Sequence, residues 1–233
     1  MKVIILVQSI DKPHYIKLRE AQQETWDSIS HSNVETIYYK PTGKSEEHVG
    51  NVINTPESWH FTELYKSFAK ALRLLLKQDW DYVFKTDNST YLDKDVLYNI
   101  MLTKPRTNYF GGMTYPYCIP NVDKHVWGDG YVISRDIAKY LVDTFNECPF
   151  LYHGSDDGVI SKILEDKTVL DDTLPIYELY THDNKIEPGN HVYRVRLNHH
   201  TSSPALIEFD NLPFIIDEDI KSMHNIHSVI KKK

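Results

Sequence analysis

The chain has 233 residues, of which 41% are hydrophobic and 25% charged, so it is long enough to bury a core as one domain of ordinary size. Its 26 basic and 33 acidic residues give a formal net charge of −7, which argues against general polyanion binding and against a nucleic-acid partner. Its two cysteines, Cys118 and Cys148, are too few for a disulfide framework and are predicted to be free thiols in a reducing compartment.

The first predicted element is a β-strand that begins near Val3 and ends near Val7. This apolar run is too short for the hydrophobic part of an export signal and far too short to cross a bilayer. An uninterrupted apolar run of this length is typical of a strand that is buried on both faces. We therefore expect no membrane span and a soluble protein.

The next stretch predicts a helix, a strand and a loop. Asp11 and Pro13 suit a helix start, and the helix is predicted to end at about Ser28. The segment Val34–Tyr39 is rich in β-forming residues and predicts a second strand. Mixed polar residues and two glycines between Pro41 and Pro56 predict a loop.

The strongest helical pattern in the sequence comes next. Its apolar residues recur at helical spacing and are Phe61, Leu64, Tyr65, Phe68, Leu72, Leu75 and Leu76. A buried strand that ends at Asp87 follows, and Asp93 is predicted to cap a short helix that ends at Met101. Tyr109–Thr114 predicts a further strand.

The remaining pattern is weaker. Gly128–Ser134 is predicted as a turn, a strand and a cap, followed by a helix from residue 135 to about residue 145. Ser155 is predicted as the N-cap of a helix whose first turn holds Asp156 and Asp157. Val192–Leu197 alternates like a strand. The alternation of strands and helices predicts an α/β fold in a single domain with a mixed central sheet.

The polar cluster Asp87-Asn88-Ser89 stands directly after a buried strand. That is where an α/β protein presents a nucleotide or a metal, although the same residues also favour a simple turn. A carboxylate at this place can bridge to Mn²⁺ or Mg²⁺ that neutralises a diphosphate leaving group. Lys85 is placed to approach a phosphate, whereas Lys66 on the long helix is most simply a solvated lysine.

Three further groups each have a functional and a structural interpretation. The acid pair Asp156 and Asp157 either stabilises a helix start or contains a general base. His199 and His200 are either metal ligands, suited to Mn²⁺ beside a carboxylate, or surface residues. The segment Trp127-Gly128-Asp129-Gly130 is either a plain turn or a platform on which a sugar ring packs.

Four segments of the chain, in order, resemble motifs of the β1,3-galactosyltransferase and Fringe-like family, which are inverting glycosyltransferases of the GT-A fold. The segments are Arg19 to Trp26, Lys85 to Ser89, Gly128 to Asp136 and Asp156 to Ser161. Lys66-Ser67 is also similar to a Lys-Thr pair of the family. Together the matches cover roughly residues 1 to 165.

The resemblance implies a nucleotide-sugar-binding half, about residues 1–92, and an acceptor-binding half, about residues 93–233. The implied donor-binding residues are Val7, Gln8, Ser9, Arg19, Lys66, Lys85, Asp87, Asn88 and Ser89. The implied acceptor-binding residues are Trp127, Gly128 and Asp129, and the implied metal ligands are Asp87, Ser89, His199 and His200. Asp157 is implied as the general base, with Asp156 beside it as a capping or orienting residue.

The implied reaction moves a sugar from a UDP-sugar to a hydroxyl of a glycan or glycoprotein acceptor with inversion. The sequence departs from the family at Ser89, where the family usually has the acid that binds the metal directly. A neutral hydroxyl is a poorer ligand for a hard dication, so metal binding is expected to be weak, to use a histidine, or to be dispensable. Secretory members of the family carry a membrane anchor and disulfides, which the sequence does not show, so a cytoplasmic enzyme of microbial or viral origin is expected.

Two alternatives stay open at the level of sequence. One is a GT-A-like domain that binds a sugar nucleotide or glycan without turnover, which the change at Ser89 favours. The other is a metal-dependent phosphoesterase in which Asp87, the acid pair and the histidines form a metal cage.

Overall fold

The computed structural model describes residues 1–42, 44–60, 63–115, 125–145, 156–174, 176–178, 192–194 and 213–231. The helices are α1 (Pro13–Glu24), α2 (Leu64–Leu75), α3 (Lys94–Leu102), α4 (Arg135–Thr144), α5 (Asp156–Leu164) and α6 (Pro213–Ile230). The strands are β1 (Val3–Gln8), β2 (Val34–Pro41), β3 (Glu47–Val49), β4 (Val52–Thr55), β5 (Tyr82–Asp87), β6 (Thr90–Tyr91), β7 (Phe110–Tyr115), β8 (His125–Ser134), β9 (Leu170–Asp171), β10 (Ile176–Glu178) and β11 (Val192–Arg194).

A mixed sheet forms the centre of the molecule. In the described part of the chain its eight strands have the order β3-β4-β2-β1-β5-β8-β7-β9. The neighbours β4, β2, β1 and β5 run parallel, whereas β8 is antiparallel to β5 and to β7. A smaller sheet has the order β10-β11-β6, and β6 follows β5 closely in the chain. The predicted α/β class with a mixed central sheet is therefore confirmed.

Helices cover both faces of the central sheet. Along β1, Ile4 and Leu6 pack with apolar residues of α2, α4 and α5, and their neighbours Ile5 and Val7 pack with residues of α1, α3 and α6. Alternate residues of a strand point to opposite faces, so an uninterrupted apolar run serves both layers. Both predictions for this run, a strand and burial on both faces, are confirmed.

The predicted helix after β1 is shorter than expected. α1 ends at Glu24, because Thr25 leaves the helical conformation, and a separate 3₁₀ turn covers Trp26–Ser28. The indole N–H of Trp26 donates to the main-chain oxygen of Thr90 at 3.0 Å. This contact holds Trp26 against the turn after β5, at the place where the chain leaves α1. The predicted cap Asp93 is confirmed, since its side chain accepts from two main-chain N–H groups of α3.

Other local predictions were wrong. The segment Pro41–Pro56 is not a simple loop, since it contains β3 and β4, and β4 extends the parallel part of the sheet beyond β2. The segment Gly128–Gly130 is not a turn but lies inside β8, where Gly130 pairs with Thr86 of β5 and the pairing with β7 shifts register. β6, β9, β10 and α6 were not predicted. Of the predicted strand Val192–Leu197, Val192–Arg194 forms β11, whereas residues 195–197 and Ser155 lie outside the described residues.

None of the helices that the structure describes is both long and apolar enough to cross a membrane.

Candidate functional site

The parallel strands end together at one edge of the central sheet. In register, Gln8 at the end of β1 lies between Tyr39 of β2 and Asp87 of β5. Ser9 follows Gln8, and its main-chain N–H donates to the Tyr39 oxygen at 2.9 Å. The carboxyl edge of parallel strands is the usual ligand-binding place in an α/β sheet. The structure therefore brings together several residues that the sequence had singled out far apart.

The cluster that follows β5 is a tight turn supported by α1. Asp87 Oδ1 accepts from Ser89 N at 2.7 Å and from Ser89 Oγ at 2.5 Å. Gln22 of α1 donates to the main-chain oxygens of Asp87 and Thr90 at 3.0 Å each, and it accepts from Asn88 Nδ2 at 3.1 Å. Ser89 thus binds one oxygen of Asp87 through both its main-chain N–H and its hydroxyl.

Lys85 joins β5 to the acid pair. Its Nζ lies 2.7 Å from Asp156 Oδ2 and donates to the main-chain oxygen of Gly128 at 2.8 Å, and its side chain is only 2% exposed. Burial by itself lowers the pKa of Lys85, but Asp156, with further contributions from Asp157 and Asp87, outweighs it and raises the pKa above its usual value. Lys85 is therefore a cation at neutral pH. Its predicted contact with a phosphate stays a prediction.

Asp157 is held in place by main-chain groups. Its Oδ2 accepts from Gly128 N and its Oδ1 from Gly158 N, both at 2.8 Å, and the residue is partly exposed. A Cβ at position 128 would lie 3.1 Å from Asp157 Oδ2 and 3.7 Å from Lys85 Nζ, so the absence of a side chain allows this close approach. Gly128 therefore connects both ends of the arrangement: its oxygen binds Lys85 and its N–H binds Asp157.

Two tyrosines complete this face of the site. Burial and then the charge of Asp156 raise the pKa of Tyr39 and that of Tyr131 well above the usual value, so both hydroxyls stay protonated. Tyr39 donates to Gln8 Oε1 at 2.9 Å, and the Tyr131 ring lies 5.7 Å from Lys85 Nζ. Sequence reasoning missed both residues. Tyr131 is the partner of Lys85 in the β5–β8 register, a pairing that only the structure shows.

A cationic cluster lies at the same edge on the α1 face. Arg19 Nη1 donates to Ser9 Oγ and to Asp11 Oδ1, both at 3.0 Å. Lys40 of β2 approaches the same carboxylate, with its Nζ 3.2 Å from Asp11 Oδ1. Arg19 and Ser9 were predicted as donor-binding residues, whereas Asp11 and Lys40 were not, because nothing in the sequence joins positions so far apart.

Some predicted site residues are not brought into these clusters. Lys66 is exposed on α2 and pairs with Glu63 at 3.4 Å, and the side chain of Val7 is fully buried in the core. His199 and His200 lie outside the described residues. For Trp127 and Asp129 only the main chain is described, as part of β8, so their predicted acceptor contacts stay predictions.

Of the four predicted ligands of Mn²⁺ or Mg²⁺, Asp87 and Ser89 lie in the described ranges, and His199 and His200 lie outside them. No group of three or more His, Cys, Asp or Glu side chains in these ranges is placed to hold a metal ion. Asp87 supplies the one carboxylate of its turn, and Ser89 already binds one of its oxygens. Divalent cations of this kind prefer several oxygen ligands. This part of the structure therefore also gives no support to the metal cage of the phosphoesterase alternative.

Comparison with known protein families and with characterised protein sequences finds no match. Comparison with solved structures finds a glycosyltransferase involved in the glycosylation of the major capsid of PBCV-1, which is 12% identical, with a TM-score of 0.52; the match covers 97% of this chain and 100% of that one. The mannosyltransferase PcManGT from Pyrobaculum calidifontis, in complex with GDP-Man and Mn²⁺, is 12% identical with a TM-score of 0.49 and coverages of 85% and 58%. The glycosyltransferase GlyE from Streptococcus pneumoniae TIGR4 is also 12% identical, with a TM-score of 0.47 and coverages of 77% and 47%.

The likeness to the capsid-glycosylating enzyme is a likeness of fold. Together with the mixed sheet, it confirms the predicted GT-A-like fold class. Fold alone does not fix an activity, so function has to be argued from the site.

Proposed function

We propose that this protein is a glycosyltransferase that moves a sugar from a UDP-sugar to a hydroxyl of a glycan acceptor with inversion of the anomeric configuration. The observation that carries the proposal is the link through Lys85, which ties Asp156 and its neighbour Asp157 to the strand that ends at Asp87. Asp157, the candidate base, and the turn at Asp87, the candidate donor-binding segment, are thereby connected at one edge of the sheet. The motif resemblance to the β1,3-galactosyltransferase and Fringe-like family supports the same chemistry.

The donor is proposed to lie across the carboxyl edge, within the half formed by residues 1–92. Uridine would lie against Gln8 and Ser9, and Asp87 would contact ribose or diphosphate. Asn88 and Gln22 would hold the Asp87 turn in shape, since they bond to each other and Gln22 bonds to the turn's main chain. The acceptor would enter from the half formed by residues 93–233, beside Gly128 and Asp157.

Asp157 is proposed as the general base. It takes the proton of the acceptor hydroxyl while the hydroxyl oxygen forms a bond to the anomeric carbon; the bond from that carbon to the phosphate oxygen breaks, and UDP leaves with its electron pair. Asp157 is partly exposed and is oriented by Gly128 N–H. Asp156 is buried and paired with Lys85, so it suits a positioning role rather than contact with the acceptor.

Calorimetric titration with UDP and a panel of UDP-sugars, followed by an assay of UDP release, tests the proposal. Running it with Mn²⁺ and with EDTA tests the predicted metal in the same experiment. We expect UDP to bind and one UDP-sugar to be turned over with an acceptor. Failure of UDP and of every UDP-sugar to bind in either buffer would refute the donor class.

The role of Asp157 has a separate test. Asp157→Asn keeps the size of the side chain but removes the base, and is expected to lower the transfer rate by about 10²- to 10⁴-fold with UDP affinity nearly unchanged. Asp143→Asn on α4 is the matched control, since Asp143 is an exposed carboxylate paired with Lys139. An equal loss of binding and of transfer would contradict the assignment.

One observation favours the non-catalytic candidate, a domain that binds a sugar nucleotide without turnover. Ser89 Oγ donates to Asp87, so the turn holds a hydroxyl where the family has an acid. Ser89→Asp adds a carboxylate beside Asp87 and is expected to raise the affinity for Mn²⁺, whereas unchanged affinity would contradict the alignment at this position. UDP binding with no release of UDP on any acceptor would favour the non-catalytic candidate.

A further inference from the structure

Two cations are fixed at the carboxyl edge on the α1 face. The side chains of Arg19 and Lys40 are 15% and 16% exposed, and both bind Asp11, whose side chain is 50% exposed. Arg19 is held further by the fully buried hydroxyl of Ser9. The cations are thus packed against the protein, and the carboxylate between them is the member of the cluster that faces solvent.

The cluster lies next to the Asp87 turn. Arg19 and Gln22 are three residues apart on α1, so their side chains share one face of the helix. Gln22 donates to the main-chain oxygen of Asp87 at 3.0 Å, and Ser9, which binds Arg19, follows the register partner of Asp87 in β1. The guanidinium therefore lies beside the edge at which the donor is proposed to bind.

The charges in this cluster do not balance. Partial burial raises the pKa of Asp11, but hydrogen bonds from Arg19 and Lys40 outweigh it and hold the pKa below its usual value, so the carboxylate is ionised at neutral pH. One negative charge then lies between two positive charges. A guanidinium and an ammonium are the side-chain groups that bind phosphate oxygens best, the first by paired hydrogen bonds and the second as a point charge.

We propose that Arg19 and Lys40 bind the diphosphate of the donor nucleotide, and that Asp11 occupies this cation pair until the phosphates displace it toward solvent. The identity of the nucleotide rests on the proposed function, whereas the binding of phosphate groups does not. The cation pair would supply positive charge to departing UDP at a site where Ser89 leaves the metal ligands incomplete. Asp11 would then act as a built-in competitor of the donor.

Titrations in EDTA with UDP, uridine and inorganic pyrophosphate test this inference. Asp11→Asn removes the competing charge and is expected to tighten UDP binding about fivefold, which corresponds to about 1 kcal/mol and to one charge interaction at about 4 Å in water. Lys40→Met is expected to weaken UDP binding by about the same factor. Both variants should shift pyrophosphate binding in the same directions and leave uridine binding unchanged.

The sheet offers a matched control at its opposite edge. Lys2 precedes β1, and its Nζ lies 2.7 Å from Glu35 of β2, so Lys2→Met and Glu35→Gln repeat the same charge changes far from the carboxyl edge. Both controls are expected to leave UDP affinity unchanged. Shifts as large as those of the Asp11 and Lys40 variants would assign the effect to net charge and overturn the inference.

The outcomes separate the two proposals. UDP binding that is indifferent to Asp11→Asn and Lys40→Met, or a uridine shift equal to the UDP shift, overturns the cation pair and leaves the proposed function standing. Pyrophosphate binding with the expected dependence, but no UDP binding, supports the cation pair and refutes the UDP-sugar donor. Binding of neither UDP nor pyrophosphate overturns both.

Discussion

Removing the buried charge of Lys85 is expected to destabilise the protein strongly. Lys85→Met keeps an unbranched side chain of similar length, so the packing of β5 changes little, but Asp156 is left buried without its partner 2.7 Å away. Breaking a buried ion pair by removing one member typically costs about 3–5 kcal/mol. Since whole domains are stable by only about 5–15 kcal/mol, this loss is a large fraction of the total.

Equilibrium unfolding in urea, followed by tryptophan fluorescence, measures the effect. With a slope of about 3 kcal/mol/M, the loss moves the unfolding midpoint down by about 1 M or more. The double variant Lys85→Met/Asp156→Leu replaces the pair with two apolar side chains and is expected to recover most of the lost stability, because neither charge is then left unpaired.

Two results would refute this reasoning. One is a Lys85→Met variant as stable as the wild type, which would mean that solvent reaches Asp156. The other is a double variant whose loss equals the sum of the single losses, since side chains that interact directly give non-additive changes.

Three further predictions concern separate parts of the molecule. Asp93→Ala removes the cap of α3 and should cost about 1 kcal/mol in urea unfolding; no loss would contradict the capping role. Gly128→Ala places a methyl group 3.1 Å from Asp157 Oδ2 and should lower kcat while UDP affinity stays constant in calorimetry, whereas an unchanged kcat would show that Asp157 tolerates the shift. Burial, with Lys231 and His224 adding to it, lowers the pKa of His227 in the folded protein. As the pH is lowered, His227 therefore takes up a proton in the unfolded chain first, and the melting temperature should decrease as the pH drops below about 6.5. His227→Gln should flatten that fall, and an equally steep one would assign it to other groups.

The central strands and α2 were predictable because their apolar patterns are strong. β1 is an unbroken apolar run, and α2 repeats apolar residues at helical spacing. β3 and β4 were missed because they are only three and four residues long and about half of their residues are polar. They are strands because they pair with neighbouring strands of the sheet, not because of a local pattern. α6 was missed although Ile220, Met223 and Ile226 recur at helical spacing and pack in the core.

The site was predictable only in part. Asp87 and Asp157 were singled out as motif residues, yet the bond between Asp157 and Gly128 depends on how α5 packs against β8, which no local pattern encodes. The same holds for Lys85 and Asp156, which meet only because a strand and a distant helix pack on one face. Lys40 was invisible to motif reasoning because a single lysine in a strand is usually only a solvated side chain.

The contact between α6 and α1 has a consequence for how the chain folds. Met223 and Ile226 of α6 pack in the same cluster as Leu18 of α1, and Tyr91 Oη lies 3.1 Å from His227 Nδ1, 136 positions later in the chain. During synthesis, the part of this cluster that α6 covers therefore stays exposed to water until α6 has left the ribosome. Contacts between segments so distant in the chain slow folding. Until they form, apolar surface that promotes aggregation stays exposed. We expect the nascent chain to bind chaperones through this exposed part of the cluster until α6 emerges.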